Sequence, residues 1–355
     1  MARPIRIVYT TGVDQTAKSE IRQALTRRLK RQASVNGTIV IAAAPGMLDE
    51  YVTLCDDTFK AAGVRFSDED LERLRGILAT QLDTAFKSTS RSEIVITYET
   101  KWGFTNLDYT VSPRWVTIEQ AYDNWVATRE PPLFGTEPDA RVWKLATEVS
   151  DPGDFPVLDV GAGTGRNSLP LARRGHPVDA VEMSPRFAEI IRTEAQRESL
   201  NVYVIERTMS DALAVLRTDY KLIVLSEVVS DFRTFDQVRE VFELASRSLA
   251  AGGQLVFNVF LEKDGYTPDA GARDLGQQMY TSIFTYAELA EAAAGTPLQL
   301  VADDSVFDYE QANLPAGSFP QTSWYVGWIS GQDVFDLGRE SCPIELRWLV
   351  YRKAW

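Results

Sequence analysis

The chain has 355 residues, 45% of them hydrophobic and 25% charged, a composition typical of a globular protein that excludes disordered, collagen-like and coiled-coil classes. The length predicts two structural units or one enlarged α/β unit. With 37 Lys and Arg residues against 50 Asp and Glu residues, the net charge is −13. We therefore expect no nucleic-acid partner and no binding to an anionic membrane surface.

Cysteine and histidine are too scarce for several kinds of site. Cys55 and Cys342 lie far apart without C-x-x-C spacing, which predicts neither a disulfide framework nor a thiolate metal site. The single histidine, His176, lies in a Gly-His-Pro turn, where a structural role is expected, so catalytic triads and His-rich zinc sites are excluded. No run reaches the ~18 apolar residues of a membrane helix, and the N-terminal apolar run is too short for a signal peptide. We expect a cytoplasmic protein without a metal.

The sequence pattern of residues 1–112 predicts a smaller α+β domain. Helical spacing predicts helices over about 14–32 and 67–87, the second opening with the capping box Ser67-Asp68-Glu69-Asp70. Apolar and β-branched runs at 94–98 and 107–111 predict a hairpin. The segment carries no recognisable chemistry.

Residues 113–355 predict a second, α/β domain. Capping patterns at 117–120 and 136–139 predict two short helices, the first carrying Tyr122 and Trp125. From residue 156 onward, apolar runs alternate with helical patterns; the runs are 157–160, 178–182, 202–205, 222–225, 254–259, 298–301 and 345–351. Such runs separated by helices predict a mainly parallel sheet with helices on both faces, and the last two predict a final antiparallel pair.

A glycine-rich turn, Asp159-Val160-Gly161-Ala162-Gly163-Thr164-Gly165, joins the first of these strands to a helix. Its glycines permit positive φ and let a ligand approach bare backbone, while the helix N-terminus offers free N–H groups. A dinucleotide fingerprint would need a glycine where Thr164 or Arg166 stands. The spacing is D-x-G-x-G-x-G instead.

This turn resembles that of the class I S-adenosylmethionine-dependent methyltransferases. Four further segments match the family in order: Glu182-Met183, Met209-Ser210-Asp211-Ala212, Leu225-Ser226-Glu227-Val228-Val229 and 249–255. The resemblance covers about 130–355. It implies a Rossmann-like, mainly parallel seven-stranded sheet with a final antiparallel strand, and S-adenosyl-L-methionine as the cofactor.

The resemblance also implies roles for individual residues. The turn would hold the methionine and ribose portions of the cofactor, Glu182 the two ribose hydroxyls, and Asp211 the exocyclic amine of adenine. Alternatives remain open, since Glu182 could be a solvated strand end and Asp211 a helix cap. The implied cofactor-binding residues are Asp159, Gly161, Gly163, Gly165, Glu182, Met183, Asp211, Ala212 and Ser226, with Arg129 either meeting the cofactor's carboxylate or forming a surface salt bridge.

Methyl transfer requires alignment of the acceptor, and its proton must leave. Because no histidine base is expected, Glu227 and Asp231, beyond the fourth strand, are the leading catalytic candidates, and Tyr122 is a weaker one. The family often relies on alignment alone, so a base need not exist. Segments 262–284 and 311–343 are expected to be long loops over the site, although the aromatic residues of the second could equally form a small core.

The sequence therefore predicts methyl transfer to an oxygen or nitrogen of a small-molecule acceptor. Residues 1–112 would serve acceptor choice or homodimer formation. Two alternatives stay open: methylation of a protein side chain, and a non-catalytic S-adenosylmethionine-binding scaffold. Ser226-Glu227-Val228-Val229 stands where the family's amide and adenine N-methyltransferases carry an Asn-Pro-Pro-Tyr-type tetrapeptide, which argues against those two activities.

Overall fold

The computed structural model describes residues 15–30, 34–89, 91–100, 107–115 and 132–354, with the single residues Gln120, Val126 and Thr128. Contacts divide the chain into two units. The first comprises Met1–Ser88 with Ser92–Trp115, and the second comprises Thr89–Arg91 with Val116–Trp355.

The first unit packs helices against an antiparallel sheet. Its elements are α1 (Gln15–Lys30), β1 (Val35–Ala42), α2 (Leu48–Ala61), α3 (Asp68–Ser88), β2 (Glu93–Thr100) and β3 (Leu107–Arg114), with strand order β1-β2-β3. The predicted capping box begins α3, because the Asp70 N–H donates to Ser67 Oγ and the Ser67 N–H donates back to the Asp70 carboxylate, both at 3.2 Å. Buried leucines at every fourth position of α3 then meet the inner face of the sheet, as at Leu74, Leu78 and Leu82.

The second unit is an α/β sandwich. Its helices are α4 (Ala140–Thr147), α5 (Ser168–Arg173), α6 (Pro185–Glu198), α7 (Met209–Ala212), α8 (Phe235–Ser248), α9 (Ala270–Gln278), α10 (Tyr286–Ala293), α11 (Val306–Asn313), α12 (Tyr325–Ile329) and α13 (Gln332–Phe335). Its strands are β4 (Val157–Val160), β5 (Val178–Val181), β6 (Val202–Ile205), β7 (Tyr220–Leu225), β8 (Leu249–Glu262), β9 (Ile283–Phe284), β10 (Leu298–Ser305) and β11 (Ile344–Lys353).

The strand order confirms the predicted sheet. The order is β10-β11-β8-β7-β4-β5-β6, with the two-residue β9 beside β8. Strands β4 to β8 pair in parallel, whereas β11 pairs antiparallel with both β8 and β10. The chain order reverses at β4, which β5 and β7 flank. In such sheets, ligands bind beyond the carboxyl ends of the strands at this point.

The two long insertions are loops only in part, because each contains short elements of secondary structure. Segment 262–284 contains α9 and β9, and segment 311–343 contains α12 and α13. The apolar content explains the difference, because Phe319, Tyr325 and Phe335 pack into the core beside buried Trp328. His176 is buried in its turn, with Nδ1 3.0 Å from the carbonyl oxygen of Phe155. Within the described ranges, no helix has both the length and the apolar character needed to cross a membrane.

Candidate active site

The glycine turn follows β4 at the point where the sheet order reverses. Gly161, Gly163 and Gly165 have φ of +71°, +56° and +89°, a region that side chains other than glycine rarely adopt. A Cβ on Gly161 would lie 2.4 Å from the side chain of Val228, and one on Gly165 would lie 2.9 Å from that of Leu169. A Cβ on Gly163 would meet only the Phe134 ring, at 3.8 Å. Two glycines therefore permit close packing, while the third leaves the backbone open.

Glu182, at the carboxyl end of β5, braces this turn. Its carboxylate is buried and accepts hydrogen bonds from the N–H groups of Gly163 at 2.8 Å and Ser184 at 2.7 Å. Burial raises the pKa of Glu182, and hydrogen bonds from the backbone of Ser184, Gly163 and Met183 oppose the rise. Glu182 and the glycine turn, which the sequence places in one predicted site, are thus in direct contact.

Asp159 is the first residue of the motif and lies at the base of the same site. It is buried in β4 and accepts a hydrogen bond from Ser168 Oγ at 2.6 Å. Burial raises the pKa of Asp159 to about 6, because the one hydroxyl donor replaces little of the lost hydration.

A cavity of about 470 Å³ opens over the ends of β4, β5 and β7. This volume is within the range of small-molecule sites. The predicted residues that line it are Asp159, Gly161, Gly163, Glu182, Met183, Ser226, Glu227 and Asp231. The cavity can therefore bring the glycine turn, the Glu182 carboxylate and the residues after β7 to one ligand.

Three predicted residues do not line the cavity. Gly165 packs against α5, and Ala212 is fully buried. The carboxylate of Asp211 instead accepts from Thr208 Oγ1 at 2.7 Å, because Thr208 caps α7 and Asp211 occupies the third helical position. The cavity wall here is Thr208, Met209 and Ser210. Tyr122 and Arg129 lie outside the described residues.

A buried ion-pair network follows the glycine turn. Arg166 Nη1 lies 2.5 Å from Asp139 Oδ1, and Arg166 Nη2 lies 2.6 Å from Glu227 Oε1. Asp139 also accepts from Asn167 Nδ2 at 2.8 Å and from Ser226 Oγ at 2.6 Å. Sequence reasoning missed Arg166 and took Asp139 only as part of a helix cap. The signal available was the position of Arg166, a cation directly after a ligand-binding turn.

Asp139 is free for this network because another residue caps its helix. It occupies the N-cap position of α4 but makes no side-chain capping bond. Buried Glu310, on α11, accepts instead from the N–H groups of Ala140 at 2.7 Å and Arg141 at 3.3 Å. Glu310 also accepts from Trp348 Nε1 at 2.9 Å.

Glu227 is held from its backbone as well as from its side chain. Its φ is +60°, and its N–H donates to Asn258 Oδ1 at 2.7 Å. Strained backbone of this kind is often retained at functional sites. Burial raises the pKa of Glu227, against the opposing effect of Arg166.

Asp231 lies in a short 3₁₀ turn, Val229–Asp231, and is paired. Its carboxylate meets Arg91 Nη2 at 2.5 Å, within the second unit. The Arg91 guanidinium also stacks 3.3 Å from the centre of the Tyr280 ring. Asp231 and Glu227 are thus each paired with one arginine, and the Asp231 side chain is the more exposed of the two, at 33% against 15%.

Aromatic side chains form the remaining wall of the cavity. Trp324 and Trp328 come from the second insertion, and Tyr280 comes from the first. Trp328 Nε1 donates to the Tyr280 carbonyl oxygen at 2.8 Å, which ties the two insertions together. In the described residues, no group of three or more His, Cys, Asp or Glu side chains is arranged to hold a metal ion.

Comparisons with known proteins agree with this geometry. Residues 157–253 match a family model described as a methyltransferase domain. Over 119 residues the chain is 30% identical to a probable non-canonical nonribosomal peptide synthetase of Salinispora arenicola, covering 33% of this chain and 2% of that protein. Over 82 residues it is 29% identical to a ubiquinone biosynthesis O-methyltransferase of Methylocella silvestris, covering 23% of this chain and 26% of that one. The chain thus matches about a quarter or less of the length of these relatives.

A solved structure shares the fold. Geranyl diphosphate C-methyltransferase from Streptomyces coelicolor, determined with Mg²⁺, geranyl-S-thiolodiphosphate and S-adenosyl-L-homocysteine, superposes with a TM-score of 0.50 at 15% identity. The superposition covers 67% of this chain and 99% of that one. At this identity the likeness concerns the fold alone.

Proposed function

We propose that this chain is a class I S-adenosylmethionine-dependent methyltransferase that transfers a methyl group to an oxygen or nitrogen of a small-molecule acceptor. The match of residues 157–253 to a methyltransferase-domain model supports the proposal. The observation that carries the proposal is the contact between the glycine turn and the Glu182 carboxylate on one wall of the cavity. A turn whose backbone is open at Gly163, beside a buried carboxylate, suits a ligand that carries hydroxyl groups.

The residues present fit the cofactor. Gly163 leaves space for a ligand against the backbone, and the Glu182 carboxylate can accept from two neighbouring hydroxyls. Met183, half exposed on the cavity wall, offers a flat apolar contact for adenine. When bound, S-adenosylmethionine supplies a methyl group on a sulfonium. The protein's part is to align the acceptor with that methyl group and to take up the acceptor's proton.

The shape and lining of the cavity favour a small acceptor. Trp324, Trp328 and Tyr280 give it an aromatic wall, which suits an apolar or aromatic body. Glu227 supplies a carboxylate beyond the end of β7, where an acceptor hydroxyl or amine would meet it. A carboxylate base suits a hydroxyl or ammonium acceptor, whose proton is readily transferred to a neighbouring oxygen.

Isothermal calorimetry with S-adenosylhomocysteine tests the cofactor assignment. The parent protein is expected to bind, and Glu182→Ala is expected to bind at least about tenfold more weakly, because a charge-assisted hydrogen bond contributes about 1.5–3 kcal/mol. Glu189→Ala, an exposed position on α6, is the matched control and should bind like the parent. Absence of binding by the parent, or equal affinity in Glu182→Ala, would refute the assignment.

A transfer assay with methyl-labelled S-adenosylmethionine separates the three activities. Label in small-molecule fractions of a metabolite mixture supports the proposal. Label in protein fractions would favour side-chain methylation instead. Cofactor binding without any transfer would favour the scaffold alternative.

We further propose that residues 1–112 serve acceptor choice or homodimer formation. The first unit has its own buried core, and the cavity lining described above comes entirely from the second unit. Sedimentation of the full chain tests the dimer. The free, buried thiols of Cys55 and Cys342 support our proposal of a reducing, cytoplasmic location.

A further inference from the structure

Arg166 links two carboxylates in a line that ends at the cavity. Asp139 lies on one side of the guanidinium and Glu227 on the other, at 2.5 and 2.6 Å. The side chains of Asp139, Arg166 and Glu227 are 1%, 7% and 15% exposed. The line is therefore almost wholly shielded from water, and Glu227 is its most exposed member.

The inner end of this line is fixed more firmly than the outer end. Asp139 accepts from Asn167 and Ser226, and its N–H donates to Asn167 Oδ1 at 2.9 Å. Apart from Arg166, the side chain of Glu227 has no hydrogen-bond donor recorded among the described residues. One oxygen of Glu227 can thus turn to a ligand while the other stays on Arg166.

The charges in this region do not cancel. One guanidinium serves two carboxylates, and Asp231, itself paired with Arg91, adds a negative charge beside Glu227. The buried Tyr325 hydroxyl faces Glu227 and Arg166 without a hydrogen-bond partner in the described structure, and Glu310 lies behind Asp139. An excess negative charge in a buried site favours uptake of a proton.

We propose that Asp139 and Arg166 are positioning residues that hold Glu227 against the acceptor and set the pH at which Glu227 accepts the acceptor's proton. The inference rests on the proposed methyl transfer. In that reaction the acceptor's electron pair forms the bond to the methyl carbon, and the methyl–sulfur bond breaks with its electrons left on sulfur. The acceptor's proton passes to the free carboxylate oxygen of Glu227, so charge and atoms balance.

The two positioning residues act on Glu227 in opposite directions. The Arg166 cation favours the ionised carboxylate and lowers its pKa, whereas the Asp139 anion favours the protonated form and raises it. Removing the charge of Asp139 should therefore lower the pKa of Glu227, and removing the charge of Arg166 should raise it. If the network had only a structural role, removing either charge would lower stability. The pKa of Glu227 would then not shift in opposite directions in the two variants.

The test is a carbon-13 NMR titration of protein labelled at the glutamate side-chain carboxyl, which needs no acceptor. The Glu227 resonance is assigned as the one missing from Glu227→Gln. Its pKa is then measured in the parent, Asp139→Asn, Arg166→Met and Arg166→Lys. Asp303→Asn is the matched control, because Asp303, Arg347 and Glu345 form a similar carboxylate–guanidinium–carboxylate line on β10 and β11.

We expect the pKa of Glu227 to fall by about one pH unit in Asp139→Asn and to rise by at least as much in Arg166→Met. Arg166→Lys should stay closer to the parent, and Asp303→Asn should match it. An unchanged or raised pKa in Asp139→Asn overturns the inference, even if Arg166→Met yields no folded protein. Shifts of the expected sign in a protein that binds no S-adenosylhomocysteine would refute the proposed function while leaving the charge relation intact.

Discussion

Replacing Asp159 with asparagine should change how stability depends on pH. Burial raises the pKa of Asp159 from an ordinary 3.8 to about 6. Well below pH 3.8 Asp159 is protonated in both the folded and the unfolded chain, so its ionisation does not affect the free energy of unfolding. As pH rises from 3.8 to 6, the unfolded chain loses the proton first, so the folded state is progressively destabilised. Above pH 6 the full cost is present.

The size of this effect follows from the two pKa values. A difference of about 2.2 pH units, at about 1.36 kcal/mol each, gives about 3 kcal/mol of lost stability at pH 7. An asparagine side chain at this position would keep an oxygen for the Ser168 hydroxyl but cannot ionise. The free energy of unfolding of Asp159→Asn, relative to that of the parent, should therefore rise by about 3 kcal/mol between pH 3.5 and pH 7.

Urea unfolding of parent and variant at half-unit steps over this range measures the difference directly. Asp264→Asn, at an exposed position, controls for the substitution itself. The difference between Asp159→Asn and the parent should grow with pH, and that between Asp264→Asn and the parent should stay nearly flat. A flat difference for Asp159→Asn, or one that shrinks as pH rises, would refute the reasoning.

Three further predictions concern packing and organisation. Gly165→Ala should lower the urea midpoint more than Gly252→Ala, because both glycines have positive φ but a Cβ at Gly252 meets nothing within 4 Å; equal losses would contradict this. Glu310→Ala should cost about 2–4 kcal/mol in the same assay, since two backbone donors and the Trp348 indole lose their acceptor, and Glu310→Gln should cost less. A chain beginning at Pro113 also lacks Arg91, which contacts Asp231 and Tyr280, and should keep its affinity for S-adenosylhomocysteine in calorimetry while losing turnover or self-association. The same affinity in the full chain with Arg91→Met separates the loss of Arg91 from the loss of the first unit; a folded chain from Pro113 without cofactor affinity, where Arg91→Met binds, would argue against that division.

The parts of the fold that sequence could predict are those with local signals. The β-branched run 157–160, the glycine turn behind it and the acidic residue after the next strand are short-range features, and they led to Glu182 and its cavity. The capping box at Ser67 is of the same kind. Each depends on residues within a few positions of one another, so the pattern is readable in one dimension.

The parts that sequence could not predict depend on distant partners. Asp139 and Arg166 are 27 positions apart, and Arg166 and Glu227 are 61 apart, so no local spacing marks the network. Asp211 illustrates the opposite problem, because the motif suggested an adenine contact while the nearby Thr208 hydroxyl takes its carboxylate. The helices α12 and α13 were missed because they are short and are stabilised by aromatic packing rather than by their own periodicity.

The cap that Glu310 provides has a consequence for how the chain can vary. Ala140 and Glu310 are 170 positions apart, yet the Glu310 carboxylate caps the N-terminus of α4. Asp139, at the N-cap position, is therefore left to pair with Arg166. A substitution at Glu310 would leave the first turn of α4 in need of an acceptor, and Asp139 is the side chain near enough to supply one. The backbone N–H groups of α4 and the Arg166 guanidinium would then compete for the Asp139 carboxylate. A substitution at position 310 would thus alter the cavity without contacting the ligand.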